Sequence, residues 1–130
     1  MHVQLLHKLI YIMSYKFYYG NINLNKLILP RNNWDGAKYI LAVLNSIKKE
    51  GLKKPFIIKE TYYNDFEILL GGARYWALKK LKIKEAPCII ISSKKIENCK
   101  RIKSYEELLK IAKVEKLWYL GDRLYCEGST

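Results

Sequence analysis

Leu69-Leu70-Gly71-Gly72-Ala73-Arg74 is the stretch on which the reading of this 130-residue chain turns. The apolar run Phe66–Leu70 feeds two glycines. After them Ala73, Ala77, Leu78 and Leu81 fall on one face of a helix expected over Ala73–Lys82. A strand that passes through glycines into a helix start gathers unpartnered amide N–H groups at the positive end of the helix dipole, which is a ready place for an anion. Glycine lets a phosphate approach the backbone with no Cβ in the way. Arg74 brings a forked donor suited to phosphate oxygens. From Gly71 to Lys84 there are five cations (Arg74, Lys79, Lys80, Lys82 and Lys84) and no acid. Two glycines between a strand and a helix also serve as a plain tight connection, so the flanking segments have to decide.

Upstream, Ile40, Val43, Leu44 and Ile47 keep helical spacing within Ala37–Glu50. Lys48 and Lys49 suit the last turn, and Gly51 can take the positive φ that ends it. Phe56–Glu60 and Phe66–Leu70 read as adjacent strands joined by the polar loop Thr61–Asp65. Further back, Gly20-Asn21 signals a turn and Ile22–Leu29 a strand ended by Pro30. The polar loop Arg31–Gly36 follows, with Asp35 as a helix cap. Leu5–Tyr19 is readable as a strand or a short helix. Downstream, Pro87–Ile91 is almost wholly apolar, the pattern of a strand buried on both faces. Ser104 and Glu107 form a capping box that opens a helix to about Glu115. Leu117–Leu120 and Arg123–Cys126 then read as a hairpin about Gly121-Asp122. The fold class expected is mixed α/β (α+β), one domain with a small mixed sheet, flanking helices, and a C-terminal helix and hairpin.

In order and interval these segments resemble the N-terminal domain of ParB proteins. Leu44–Ile58 is similar to that family's opening, a helix ending in Ser-Ile, a Gly turn, a Pro and an apolar strand. Glu67–Ala77 looks like its Gly-x-x-Arg box, and Leu81–Ile90 like its closing strand with Glu85 and Pro87 in place. Asn23–Arg31 is similar to its first strand and loop. The resemblance spans 22–92, leaving 1–21 as an N-terminal extension and 93–130 as a C-terminal helix and hairpin extension. It implies a ParB/sulfiredoxin-like fold that binds phosphates at Gly71, Gly72, Ala73 and Arg74. The base and ribose side then falls at Gly51, Leu52, Lys53 and Pro55. A nucleotide, CTP or ATP, is the implied cofactor, with Mg²⁺ as its companion and a homodimer as an open option. Relatives include CTP-binding partition proteins, sulfiredoxins, free-serine kinases and nucleases, so fold alone does not choose the reaction.

Departures from the family pattern weigh on that choice. ParB proteins usually carry Glu-Arg-Arg after the box glycine, where this chain has Gly72-Ala73-Arg74, and the lost acid and base favour binding over hydrolysis. Sulfiredoxins carry Cys and His where Gly72 and Ala73 stand, which argues against sulfinic-acid reduction. Glu97–Arg101 faintly echoes a downstream ParB motif for phosphate and metal, and coincidence is the simpler reading. A metal-dependent nuclease or phosphotransferase would need a carboxylate; Glu50, Asp65 and Glu67 are the acids nearest the motifs, with Glu50 and Glu67 as the catalytic candidates. A degenerate domain kept for protein contact is the third reading.

The charge points the same way as the motif. Twenty-four Lys plus Arg against twelve Asp plus Glu leave a formal net charge of +12. Such a surplus steers polyanions, so DNA is the expected partner, with Arg31, Lys79, Lys80, Lys82 and Lys84 as contacts. A solvated basic helix face is the alternative for the four lysines. Cys88, Cys99 and Cys126 lack any C-x-x-C spacing, and His2 and His7 lack companions, so no metal site is expected. Trp34 and Tyr75 are the aromatics nearest the presumed site. The first nineteen residues are too short and too polar to span a bilayer and carry no secretory signal, which gives a cytoplasmic expectation with no membrane association. Met13 offers an alternative start.

Overall fold

The strands Phe56–Glu60 (β3) and Phe66–Leu70 (β4) form where the sequence puts them, and they pair antiparallel with a register shift between Ile57 and Ile58. The structure, a computed structural model, describes residues 15–29, 40–61, 63–120 and 123–128. Around β3 and β4 the remaining elements are β1 (Lys16–Asn23), β2 (Leu27–Ile28), α1 (Ile40–Glu50), α2 (Gly72–Lys80), β5 (Glu85–Ser92), β6 (Lys100–Ile102), α3 (Tyr105–Ala112), β7 (Lys116–Leu120) and β8 (Arg123–Glu127). Six strands form one mixed sheet in the order β2-β4-β3-β5-β1-β6. β7 and β8 make a separate hairpin. β3 runs parallel to β5 and β2 parallel to β4, while the other pairings are antiparallel.

Alternate residues of the central strands serve opposite faces, as the pleat requires. Phe56, Ile58, Cys88 and Ile90 join one apolar cluster with Ile47 of α1 and Ala77 and Leu78 of α2. Ile57, Ile89 and Ile91 join a second with Leu108 and Ala112 of α3 and Leu117 and Leu124 of the hairpin. Burial on both faces explains why β5 reads as an unbroken apolar run. Leu108 and Leu117, only 1% and 0% exposed, place the region after residue 92 in the second layer of the core. The sheet likewise crosses the boundary expected at 21/22, because β1 begins at Lys16.

That strand corrects the expectation of one strand over Ile22–Leu29. Phe17 and Tyr18, both buried, point into the two different clusters, so β1 shows no polar alternation and hides its own signal. At its end the Asn23 side chain accepts from the Asn25 N–H (2.9 Å) and starts a 3-10 turn over Leu24–Lys26, which splits the expected strand. The helix expected to about Glu115 also ends early, at Ala112. Lys113 adopts φ 59, and the Glu115 N–H donates to Glu127 O (2.7 Å), pulling the chain into the hairpin. Ser104 Oγ accepts from the Glu107 N–H (3.1 Å) as expected. The Glu107 carboxylate, however, reaches the Lys103 N–H (3.4 Å), so only half of the capping box closes. Among the described residues no helix is long and apolar enough to cross a membrane.

Candidate functional site

β4 delivers the chain to Gly71, which adopts φ 124 and ψ 18 and starts α2 at Gly72. A Cβ at Gly71 would lie 2.5 Å from Cδ1 of Phe56 and 3.3 Å from Nη2 of Arg74. Both the backbone angle and the aromatic floor therefore demand glycine here. The first intrahelical bond runs from the Tyr75 N–H to Gly71 O (3.0 Å), and Gly71 at the N-cap has no side chain to cap this end. The amides of Gly72, Ala73 and Arg74 thus open α2 in the arrangement that favours an anion.

Arg74 does something the sequence did not disclose. Its Nη1 donates to the carbonyls of Lys54 (2.6 Å) and Pro55 (2.9 Å), and its guanidinium sits 5.4 Å from the centroid of the Phe56 ring. Nη1 is therefore committed to backbone, while Nη2 lies on the side of the turn at Gly71. Burial pulls the Arg74 pKa down, partly offset by the Cys126 and Cys88 thiols, and an arginine so placed stays protonated. The effect is to tie the expected phosphate side to the expected base and ribose side through one side chain.

The rest of that second segment runs along α2 toward its other end. Gly51 ends α1 with φ 78, its N–H donating to Ile47 O (2.8 Å). Gly51 and Leu52 line a largely apolar cavity of about 400 Å³ with Leu78, Leu81 and Pro87. Lys53 pairs with Glu50 at 2.6 Å, both about half exposed, so one candidate acid is already engaged with a cation. Glu67 lies between buried Phe66 and Ile68 on β4 and so points to the sheet face opposite α2. Lys79, Lys82 and Lys84 line a second cavity of about 400 Å³ with Asn23 and Asn25, and Lys80 is exposed outside it. Leu70 and Lys100 share a row across the sheet through Ile57, Ile89 and Tyr19, four strand spacings or roughly 19 Å apart. The Glu97–Arg101 segment is thus remote from the turn along the sheet. Among the described residues no three His, Cys, Asp or Glu side chains gather as a metal group. Arg31, Trp34, His2 and His7 lie outside the described residues.

Sequence reading missed Lys54, Phe56, Asn23 and Asn25. Lys54 acts through its carbonyl, which no side-chain motif reveals, and Phe56 looked like any strand residue. Cys88 lies within β5 and is fully buried. Burial first, then the neighbouring Cys99, push its thiol up to about 12, against the opposing effects of a backbone contact at Ile22 and the Arg74 charge. A thiol acid with a raised folded-state pKa supports the fold below its ordinary value of 9.0 and loses that support as pH climbs toward 12. Native protein at pH 8 should therefore leave Cys88 unalkylated while exposed Cys126 reacts, and stability should fall between pH 9 and 12. Mass mapping after iodoacetamide checks the first; rapid native labelling of Cys88 would contradict it.

A mixed sheet buried on both faces, with a strand–glycine–helix turn, is the arrangement expected of a ParB-like N-terminal domain. Residues 19–106 match the family described as the ParB N-terminal domain, and the chain belongs to that family. The chain is 36% identical over 61 residues to a nucleoid occlusion protein of Lysinibacillus sphaericus, a match over 47% of this chain that spans only 20% of that relative. Its fold is similar to the C-terminally truncated ParB of Caulobacter crescentus complexed with CTP-γ-S. That match has a TM-score of 0.50 and 14% identity over 62% of this chain and 46% of the other. A free serine kinase in complex with AMP matches with a TM-score of 0.50 and 27% identity over 58% and 31% of the two chains.

Proposed function

We propose that this chain is a DNA-associated domain that binds a nucleotide, seating its phosphates on the amides of Gly72, Ala73 and Arg74. The observation that carries the reading is the Arg74 fork. By holding the Lys54 and Pro55 carbonyls it fixes the end of the 51–55 segment beside the helix start, so that the two segments meet at one side chain. Family membership and relatives crystallised with CTP-γ-S and AMP support a nucleotide as the ligand. The nucleoid occlusion relative and the +12 charge support DNA as the partner. Binding is favoured over hydrolysis because Glu67 faces away from α2 and Glu50 is paired with Lys53. Mg²⁺ would arrive held chiefly by the phosphates themselves.

A thermal-shift series with CTP, ATP, GTP and UTP, with and without Mg²⁺, tests the reading. At a hundred times Kd a ligand of the folded state adds about 2.7 kcal/mol, so the midpoint should rise with concentration for at least one nucleotide. A flat response to all four, to millimolar concentrations, would overturn it.

A further inference from the structure

The geometry points to a second anion site at the C-terminal end of α2, one that takes the phosphodiester backbone of duplex DNA while the turn at the other end holds the nucleotide. The DNA part stands on the cavity itself; only the simultaneous occupancy rests on the nucleotide reading above. The cavity between β1 and the end of α2 is lined by Asn23, Asn25, Lys79, Lys82 and Lys84, together with Leu24 and Ile83. Its walls are set by backbone bonds. The Lys82 and Ile83 N–H groups donate to Lys79 O and Leu78 O (both 3.1 Å), a Schellman closure with Lys82 at φ 59. The Leu24 N–H donates to Lys84 O (2.8 Å) and latches the opposite wall to it.

Those bonds matter because they already occupy the Leu78 and Lys79 carbonyls near the end of α2, so lysine ammonium groups are not needed to cap those two. Lys79 lies 5.4 Å from the centroid of the Tyr75 ring. Among the described residues the ion pair formed is that of Lys53 with Glu50, away from this cavity. The Asn23 side-chain oxygen accepts from the Asn25 N–H (2.9 Å), which turns its amide NH₂ toward other partners. Among the described residues that line the cavity there is no carboxylate and no aromatic ring. The chemistry suits phosphate oxygens and offers no ring among the lining residues on which a base could stack, which favours nucleic-acid backbone over a free nucleotide. α2 spans nine residues, so its two ends lie about 12 Å apart, which separates this cavity from the amides proposed to hold the nucleotide's phosphates.

The test is duplex binding by the full chain across a salt series, using two unrelated sequences. Replacing Lys79, Lys82 and Lys84 together by Gln should weaken both duplexes at least ~10-fold at low salt and lower the log–log salt slope by about 2.7. CTP and ATP affinity should change less than about twofold, since the turn is untouched. The charge-matched control Lys94→Gln, Lys95→Gln, Lys110→Gln removes three exposed cations elsewhere and should move duplex affinity far less. Equal losses in the two triple variants, an unchanged slope in the first, or no duplex binding by the parent chain would each overturn the site. A parallel loss of nucleotide binding in the first variant would also overturn it, by merging the two sites. Failure of nucleotide binding in the parent with duplex binding intact would sink the nucleotide reading alone.

Discussion

Gly71→Ala is expected to destabilise the domain by about 3 kcal/mol or more and to remove nucleotide binding. Two costs add at this position. The φ of 124 belongs to a region that L residues avoid, worth about 1–3 kcal/mol on its own. The new Cβ would also meet the Phe56 ring at 2.5 Å, and Phe56 is fully buried with nowhere to move. Gly51→Ala separates these costs, because Gly51 has φ 78 with nothing within 4 Å of its Cβ position. It should lose only the backbone share, about 1 kcal/mol. Urea unfolding of the two variants measures the difference. Equal destabilisation would show that the Phe56 floor contributes nothing, and a Gly71→Ala loss under about 0.5 kcal/mol would contradict the local geometry altogether.

Arg74→Ala should cost about 2 kcal/mol of stability and at least ~10-fold in nucleotide affinity. It strips both the Lys54 and Pro55 carbonyls of their donor and removes the cation from the Phe56 ring. Arg74→Lys distinguishes the two duties of this side chain. An ammonium can reach one of the carbonyls and so restore part of the stability, but it has no second edge to leave toward the turn. Denaturant midpoints should therefore rank parent, Lys, Ala, whereas nucleotide affinity should be low in both variants. A parent-like affinity in Arg74→Ala would mean that the 51–55 segment holds its place without the fork.

How much of this was legible in the sequence depends on which signal each residue carries. The strand–glycine–helix turn was readable because Gly71, Gly72 and the apolar periodicities on either side announce it directly. β3, β4 and β5 were readable for the same reason, since Phe56–Glu60, Phe66–Leu70 and Pro87–Ile91 are dense in β-branched or large apolar residues. β1 was not, because Phe17 and Tyr18 serve two cores at once and Tyr19 and Gly20 follow them. The break at Asn23 depends on a side-chain-to-backbone bond that Asn permits but does not dictate. At the site, residue types pointed to Arg74 as a phosphate ligand, while its bonds to Lys54 and Pro55 need tertiary placement and carry no pattern. The same holds for the basic cavity. Its lysines are visible as a cluster, but Asn23 and Asn25 join them only because Leu24 latches to Lys84.

The amides opening α2 are proposed to hold phosphate. Titrating isotope-labelled protein with CTP and ATP and following backbone amide shifts reads this directly. The largest shifts are expected at the Gly72, Ala73 and Arg74 N–H groups, with smaller ones at Lys54 and Phe56 and little change at Lys82 and Lys84. Saturable shifts confined to other parts of the chain, with the Gly72–Arg74 amides unmoved, would contradict it.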